Sequence, residues 1–176
     1  MRALSRNIAI VAFSMLLAGS LLSGCDSKKQ GEKAVRFINI ERVVQGSGLA
    51  EQQQQHLKTV NETLQSGLKM SQQNAAGLSA EQRQKALLAD QQLLNLEWQR
   101  EQDKARAVVL KAVTDTAEAW RKEHNLSAIF PAQSALASDP EADISEAIAN
   151  VLKDKKLAFG PLPTITAKKP ETRPGK

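Results

Sequence analysis

Apolar residues recur at helical spacing through the middle of the chain. Intervals of 8, 3, 4 and 4 residues separate Leu49, Leu57, Val60, Leu64 and Leu68. This narrow apolar stripe predicts a helix over residues 49 to 76. Gly77 is a typical helix stop.

A second and longer helix is predicted from Ala80 to about His124, because this stretch contains neither Gly nor Pro. Ser79, followed three residues later by Gln82, predicts a capping box at its start. Two helices joined by so short a turn must lie antiparallel. The second helix has a mixed apolar and polar seam, formed by Leu87, Gln91, Leu94, Trp98, Glu101, Ala105, Val108, Ala112 and Thr116.

Shorter elements flank this hairpin. The β-branched and aromatic residues 34 to 40 predict a strand, and residues 41 to 45 predict one or two helical turns. Residues 126 to 131 predict a second strand, which Pro131 confines to a sheet edge or end. Asp139, with Pro140 after it, predicts the cap of a last helix. The apolar face of that helix comprises Ile144, Ile148, Val151 and Leu152.

These elements predict a mainly α fold. A long antiparallel helical hairpin, a coiled-coil-like arm of residues 49–124, is inserted in a small β-containing body of residues 34–48 and 125–157. Two strands and one short helix do not stabilise themselves alone, and small cores need staples or oligomerisation. Cys25 is the only cysteine, so no internal disulfide can form. We therefore expect the body to be an oligomerisation body.

The N-terminus has the layout of a secretory signal. Residues 1–24 contain an early basic pair, a short apolar run and small residues, and the run is too short for a confident membrane span. The segment from Leu22 to Cys25 resembles the lipobox of bacterial lipoproteins, which implies cleavage and acylation of Cys25. Asp26 resembles the enterobacterial signal for inner-membrane retention. The expected location is lipid-anchored, periplasm-facing and at the inner rather than the outer membrane, with residues 25–33 as a tether.

The positive charge of the chain is concentrated at its C-terminus. Residues 153–176 hold seven Lys/Arg and two acidic residues, whereas residues 49–124 hold ten of each sign. Residues 158–176 predict a disordered, basic, Pro-containing tail. Lys168, Lys169 and Arg173 either keep that tail soluble or contact anionic lipid headgroups. The predicted compartment argues against nucleic acid as a partner.

The order of elements resembles the Skp/OmpH family of periplasmic chaperones. Four stretches carry the resemblance: residues 35–45, the Gln/Ala/Leu-rich hairpin, residues 124–132 and residues 143–153. Together they cover nearly all of residues 34–157. The resemblance implies a homotrimer whose arms enclose a cavity for unfolded outer-membrane proteins, with no cofactor and no ATP site.

The sequence contains no recognisable catalytic motif. No nucleophile, base and orienting group are assembled, and no Gly-rich phosphate loop is present, so an enzyme is not expected. His56 and His124 lie on opposite legs of the hairpin without a ligand cluster, so no metal site is expected either. Trp98 is a packing residue or an amphipathic client contact. The other candidate client contacts are seam residues of a thin arm: Leu57, Val60, Leu64, Leu87 and Leu94.

Two functions fit these observations. The first is a membrane-anchored, ATP-independent holdase that binds unfolded outer-membrane or other envelope proteins. The alternative is a lipoprotein scaffold or accessory subunit, whose hairpin binds one dedicated partner of a secretion or surface-appendage assembly. The neutral arm and the lipid anchor favour the alternative, and the family-like layout favours the holdase.

Overall fold

The computed structural model describes residues 33–164. Its elements, in chain order, are β1 (Val35–Ile38), α1 (Ile40–Gly46), α2 (Leu49–Asn74), α3 (Ala80–Glu123), β2 (Ala128–Pro131) and α4 (Ser145–Leu152). The prediction of a mainly helical fold, with one very long helix and a small two-stranded sheet, is confirmed. Within the described range, no helix is long and apolar enough to cross a membrane.

The helices α2 and α3 form the predicted antiparallel hairpin. A 3-10 turn at Ala75–Gly77 follows α2. Ser79 accepts a hydrogen bond from the Gln82 amide, and the Gln82 side chain accepts one from the Ser79 amide, so the capping box is present. With 26 and 44 residues, the two helices are roughly 40 and 65 Å long at 1.5 Å per residue.

The strands β1 and β2 pair in parallel, with Val35 opposite Ala128 and Ile38 opposite Pro131. The first strand is shorter than predicted because Asn39 ends it. The Asn39 side chain accepts a hydrogen bond from the Arg42 amide and caps α1. Ile40, predicted to belong to the strand, is therefore the first residue of a helix.

The core lies where the base of the hairpin meets α1 and α4. Val43, Leu49, Ile148 and Leu152 are fully buried there. The helix α3 adds a run of small or β-branched residues to the same cluster: Val109, Ala112, Val113 and Ala117. The C-terminal third of α3 is thus part of the core, while the rest of the hairpin extends away from it.

The last helix begins later than predicted. Asp139 caps only a single 3-10 turn, Pro140–Ala142, and α4 starts at Ser145. Between them the Ile144 amide donates to the Phe37 carbonyl at 2.9 Å, which draws this segment into a β-bridge beside β1. The predicted apolar face is also corrected at Val151, which is 56% exposed.

The segment after α4 is described as far as residue 164, and residues 165–176, the rest of the predicted tail, lie outside the described range. Leu157 and Phe159 pack against the core cluster. The Phe159 ring stacks on His56 with a centroid distance of 4.7 Å and an interplanar angle of 11°. Leu157 and Phe159 therefore cover apolar surface of the body.

Candidate binding surface of the helical hairpin

The seam of the hairpin buries residues on both helices. Val60 and Leu64 on α2 are 0% and 4% exposed, and Glu101 and Ala105 on α3 are equally buried. Val60 and Leu64 were predicted as client contacts, and the structure buries both of them at the seam. They are packing residues that hold the two helices together.

Trp98 and Leu57, two of the predicted client contacts, lie together in the structure. Both are half-buried and line an open groove of about 400 Å³ between α2 and α3. Its other lining residues belong to α2: Ala50, Gln53, Gln54, Lys58 and Asn61. An indole and a leucine side chain edged by amides and one lysine form an amphipathic contact surface.

A second groove continues the first toward the body. It has a volume of about 630 Å³ and shares Ala50 and Gln53 with the first groove. Its large apolar lining residues come from α1 and α3: Ile40, Val44, Val109 and Leu110. The two grooves form one shallow channel along one side of the hairpin base, which we call the base channel.

Large apolar side chains are exposed on the outer part of the hairpin. Of the predicted contacts, Leu87 is exposed and Leu94 is half-buried. Four more were not predicted: Met70, Leu88, Leu93 and Leu96, which are 46–62% exposed. Three of these leucines lie on the first half of α3.

The sequence contained a signal for the unpredicted leucines. One narrow seam accommodates an apolar residue every three or four positions, yet two pairs of adjacent leucines lie within eight residues of α3, at positions 87–88 and 93–94. The second member of such a pair cannot lie on the same face as the first. This half of α3 therefore has more leucines than one seam can bury, and that surplus indicated exposed apolar surface.

The charges of the long helix are paired within the helix itself. Lys85, Arg100, Lys111 and Arg121 each contact a carboxylate three or four residues away. The guanidinium of Arg121 lowers the pKa of Glu118 to about 2. Because these charges alternate in sign and are locally neutralised, this helix lacks the single-sign field that steers charged partners.

One ion pair lies at the seam. The Glu101 side chain is almost fully buried, and its carboxylate accepts a hydrogen bond from the Lys104 ammonium at 2.6 Å. This bond raises the pKa of Lys104. The seam of the hairpin thus includes a buried carboxylate that is neutralised by a lysine of the same helix.

A polar cluster joins α1, the start of α4 and β1. The Ser145 hydroxyl donates to Asp143 and accepts from the Asn39 amide at 2.7 Å. Asp143 also pairs with Arg42 at 2.9 Å. The Ser145 hydrogen bond, with the Arg42 charge, lowers the pKa of Asp143. Among residues 33–164, no buried polar side-chain atom lacks a hydrogen-bond partner, and the hydrogen bonds of this cluster fasten α1 and α4 to each other.

The two histidines have aromatic partners. His56 stacks on Phe159, and His124 stacks on Trp120 with a centroid distance of 3.9 Å. Trp120 packs against the core cluster and is a structural residue. Across residues 33–164, no group of three or more His, Cys, Asp or Glu side chains is placed to hold a metal ion.

Five predicted functional residues lie outside the described residues. They are Cys25, Asp26, Lys168, Lys169 and Arg173. The lipid anchor, the sorting signal and the contact of the basic tail with anionic lipid remain predictions from the sequence.

Comparison with known proteins identifies a similar solved structure and no matching family model. No protein-family model and no curated protein matches the sequence. A solved structure of a candidate outer membrane chaperone, described as OmpH-like, from Caulobacter crescentus is similar with 15% sequence identity and a TM-score of 0.28. The match covers 70% of this chain and 89% of that one. The function proposed below rests on the residues of this chain.

Proposed function

We propose that the protein is a membrane-anchored, ATP-independent periplasmic holdase that binds unfolded outer-membrane or other envelope proteins. The observation that supports it most is the set of exposed leucines on the outer part of the hairpin, Leu87, Leu88, Leu93 and Leu96. Unfolded chains expose apolar side chains, and an arm with apolar side chains in water can cover them without a defined binding pose.

The distribution of residue sizes along α3 supports binding rather than folding as the role of these leucines. In its buried C-terminal third, α3 uses alanines and valines, whereas its exposed first half carries the leucines. A large apolar residue stabilises the fold most at a buried position, because burying a leucine side chain stabilises the folded protein by about 1.5–3 kcal/mol. A leucine at a solvent-exposed position contributes that free energy only when a bound partner covers it.

The proposed contacts are weak one by one and strong together. Each half-exposed leucine buries only part of its surface against a client, but several contacts on one rigid arm act at high effective concentration. Trp98 and Leu57 in the base channel would add an amphipathic site for aromatic or aliphatic segments. Such binding is reversible and needs no nucleotide, as a holdase requires.

We further propose self-association through the body, as the homotrimer that the family resemblance implies. The outer edge of β2 has no partner strand within residues 33–164, and Phe130 and Leu136 nearby are exposed. Unpaired edges and exposed rings of this kind are commonly covered by another chain.

With Cys25 lipidated and Asp26 retaining it at the inner membrane, the arms would face the periplasm, and Lys168, Lys169 and Arg173 would contact anionic headgroups.

The test is suppression of aggregation of an unfolded β-barrel protein by the purified protein. A variant carrying Leu88→Gln, Leu93→Gln and Leu96→Gln retains good helix formers and removes three exposed leucines. Half-suppression should require about tenfold more of this variant, which corresponds to about 1.4 kcal/mol of lost binding free energy.

The matched control carries Gln92→Ala and Gln99→Ala, two exposed positions of the same helix, and should act like the wild type. Equal activity of the leucine variant and the wild type would contradict the proposal. If, instead, capture from envelope extracts recovers one protein at fixed stoichiometry rather than many outer-membrane proteins, the alternative function as a dedicated scaffold subunit would be favoured.

A further inference from the structure

The segment that follows α4 is held on α2 by one amide side chain. The Gln52 side chain donates to the Lys155 carbonyl at 2.9 Å and accepts from the Leu157 amide at 3.0 Å. In an extended chain, the carbonyl of one residue and the amide two residues later point to the same side. Gln52 therefore binds the backbone groups of this segment in the arrangement that an extended chain presents, and both of its hydrogen bonds are independent of side-chain identity.

The side chains of this segment alternate between the protein and the solvent. Leu157 and Phe159 pack against the core, whereas Ala158 and Gly160 are exposed. Phe159 stacks on His56, which lies one helical turn beyond Gln52 on α2. We call residues 155–159 the strap, and the surface of Gln52, His56 and the adjoining core the strap site.

We propose that the strap site binds extended peptide segments with apolar residues at alternating positions, and that the strap is its internal occupant. The strap displays the ligand chemistry that the site accepts: a backbone amide and carbonyl for Gln52, an aliphatic side chain, and an aromatic ring two residues later. Alternating apolar residues with aromatic rings are the pattern of transmembrane β-strands. For the identity of its natural ligand, this inference rests on the proposed holdase function.

The strap is attached in a way that permits displacement. Its polar attachment to α2 consists of the two Gln52 hydrogen bonds, and its lysine side chains are exposed. Gly160, at a φ of 88°, turns the chain away, and nothing lies near enough to contact a side chain there. The strap is part of the same chain, so it competes for the site at high effective concentration. An external peptide can bind only while the strap is displaced, and its apparent affinity is the intrinsic affinity multiplied by the fraction of molecules whose site is open.

The experiment uses a fluorescently labelled peptide with the sequence of residues 153–162, titrated into the full chain and followed by anisotropy. The full chain carrying Phe159→Ser, whose strap is weakened, should bind the peptide about tenfold more tightly than the wild type does. Adding Gln52→Ala to this variant should remove most of the gain. Adding Gln55→Ala, an exposed glutamine of the same helix, should leave it unchanged.

Two outcomes of this titration overturn the inference. One is that Phe159→Ser does not tighten peptide binding, and the other is that Gln52→Ala and Gln55→Ala have the same effect. A second measurement needs no variant: saturating peptide should speed hydrogen exchange of the Leu157 amide in the wild type, and unchanged exchange also overturns the inference.

The ligand class is tested separately from the site. An unfolded β-barrel protein should displace the labelled peptide from the Phe159→Ser chain, and lack of displacement would contradict the proposed ligand class. None of these readouts measures client aggregation. The strap site and the holdase function can therefore fail independently.

Discussion

The two ends of the long helix α3 differ in what surrounds them. Its C-terminal third packs against α1 and α4, and Val109 and Val113 there are nearly dry. Within residues 33–164, the helix beside its first half is α2, and Leu93 is 62% exposed. A helix that packs against a single neighbouring helix can bury only one narrow face, whereas a helix that packs against several elements can bury most of its surface. The difference indicates that the body end maintains the fold and that the free end is available for binding.

The largest expected difference between these ends is in unfolding free energy. Ile148→Ala, at a fully buried body position, should destabilise the protein by about 3 kcal/mol, because it removes apolar contacts and leaves a cavity. Leu93→Ala should change stability by less than about 0.5 kcal/mol. Urea unfolding followed by circular dichroism measures both, and comparable losses in the two variants would contradict the division between the ends.

An intermediate effect is expected at the seam of the hairpin. Leu64→Ala removes a side chain that is 4% exposed and should cost about 2 kcal/mol, the low end for such truncations, because a thin arm can partly close over the cavity. The loss should be local, with faster hydrogen exchange in the outer halves of α2 and α3 and little change in α4. Leu96→Ala, on the exposed side of α3, is the control and should leave exchange unchanged.

The hairpin was predictable from the sequence, and its surroundings were less so. A long stretch without Gly or Pro and the capping box at Ser79 are local signals, so they placed α3 within one residue at its end. The ends of β1 and α4 depended on distant groups. The Asn39 amide, just after β1, donates to the Ser145 hydroxyl, and the Ile144 amide, just before α4, donates to the Phe37 carbonyl. No local pattern specifies such long-range hydrogen bonds.

The candidate surface was predicted in part. Trp98 and Leu57 were each named as client contacts and line one groove, whereas the periodicity that selected Val60 and Leu64 identifies the seam, which is the surface least available to a partner. The leucines that lie outside the seam are the exposed ones, and they were the better candidates for contact with a partner. Phe159 was missed for another reason, because Gly160 and Pro161 after it predict a loop, and a loop can still pack against a core.

The smallest expected effect is the pH dependence of the two carboxylates with lowered pKa. Asp143 joins three elements of the body, whereas Glu118 pairs only with Arg121 and Lys122 of its own helix. A carboxylate whose pKa is lower in the folded state stabilises the protein above its unfolded pKa, and that contribution is lost as the pH falls through the folded value.

For Asp143 the loss should begin below its ordinary value of 3.8, and for Glu118 it should extend from 4.5 down to about 2. At pH 7, Asp143→Asn should lower the thermal midpoint more than Glu118→Gln does, because exposed pairs within one helix contribute little. Thermal unfolding of both variants and the wild type between pH 2 and pH 7 measures this. The Asp143→Asn deficit should shrink as the pH falls below 3.8, since the wild-type carboxylate is then protonated too. A deficit that stays constant across that range would mean that the shape of the side chain, rather than its charge, fastens α4 to the body.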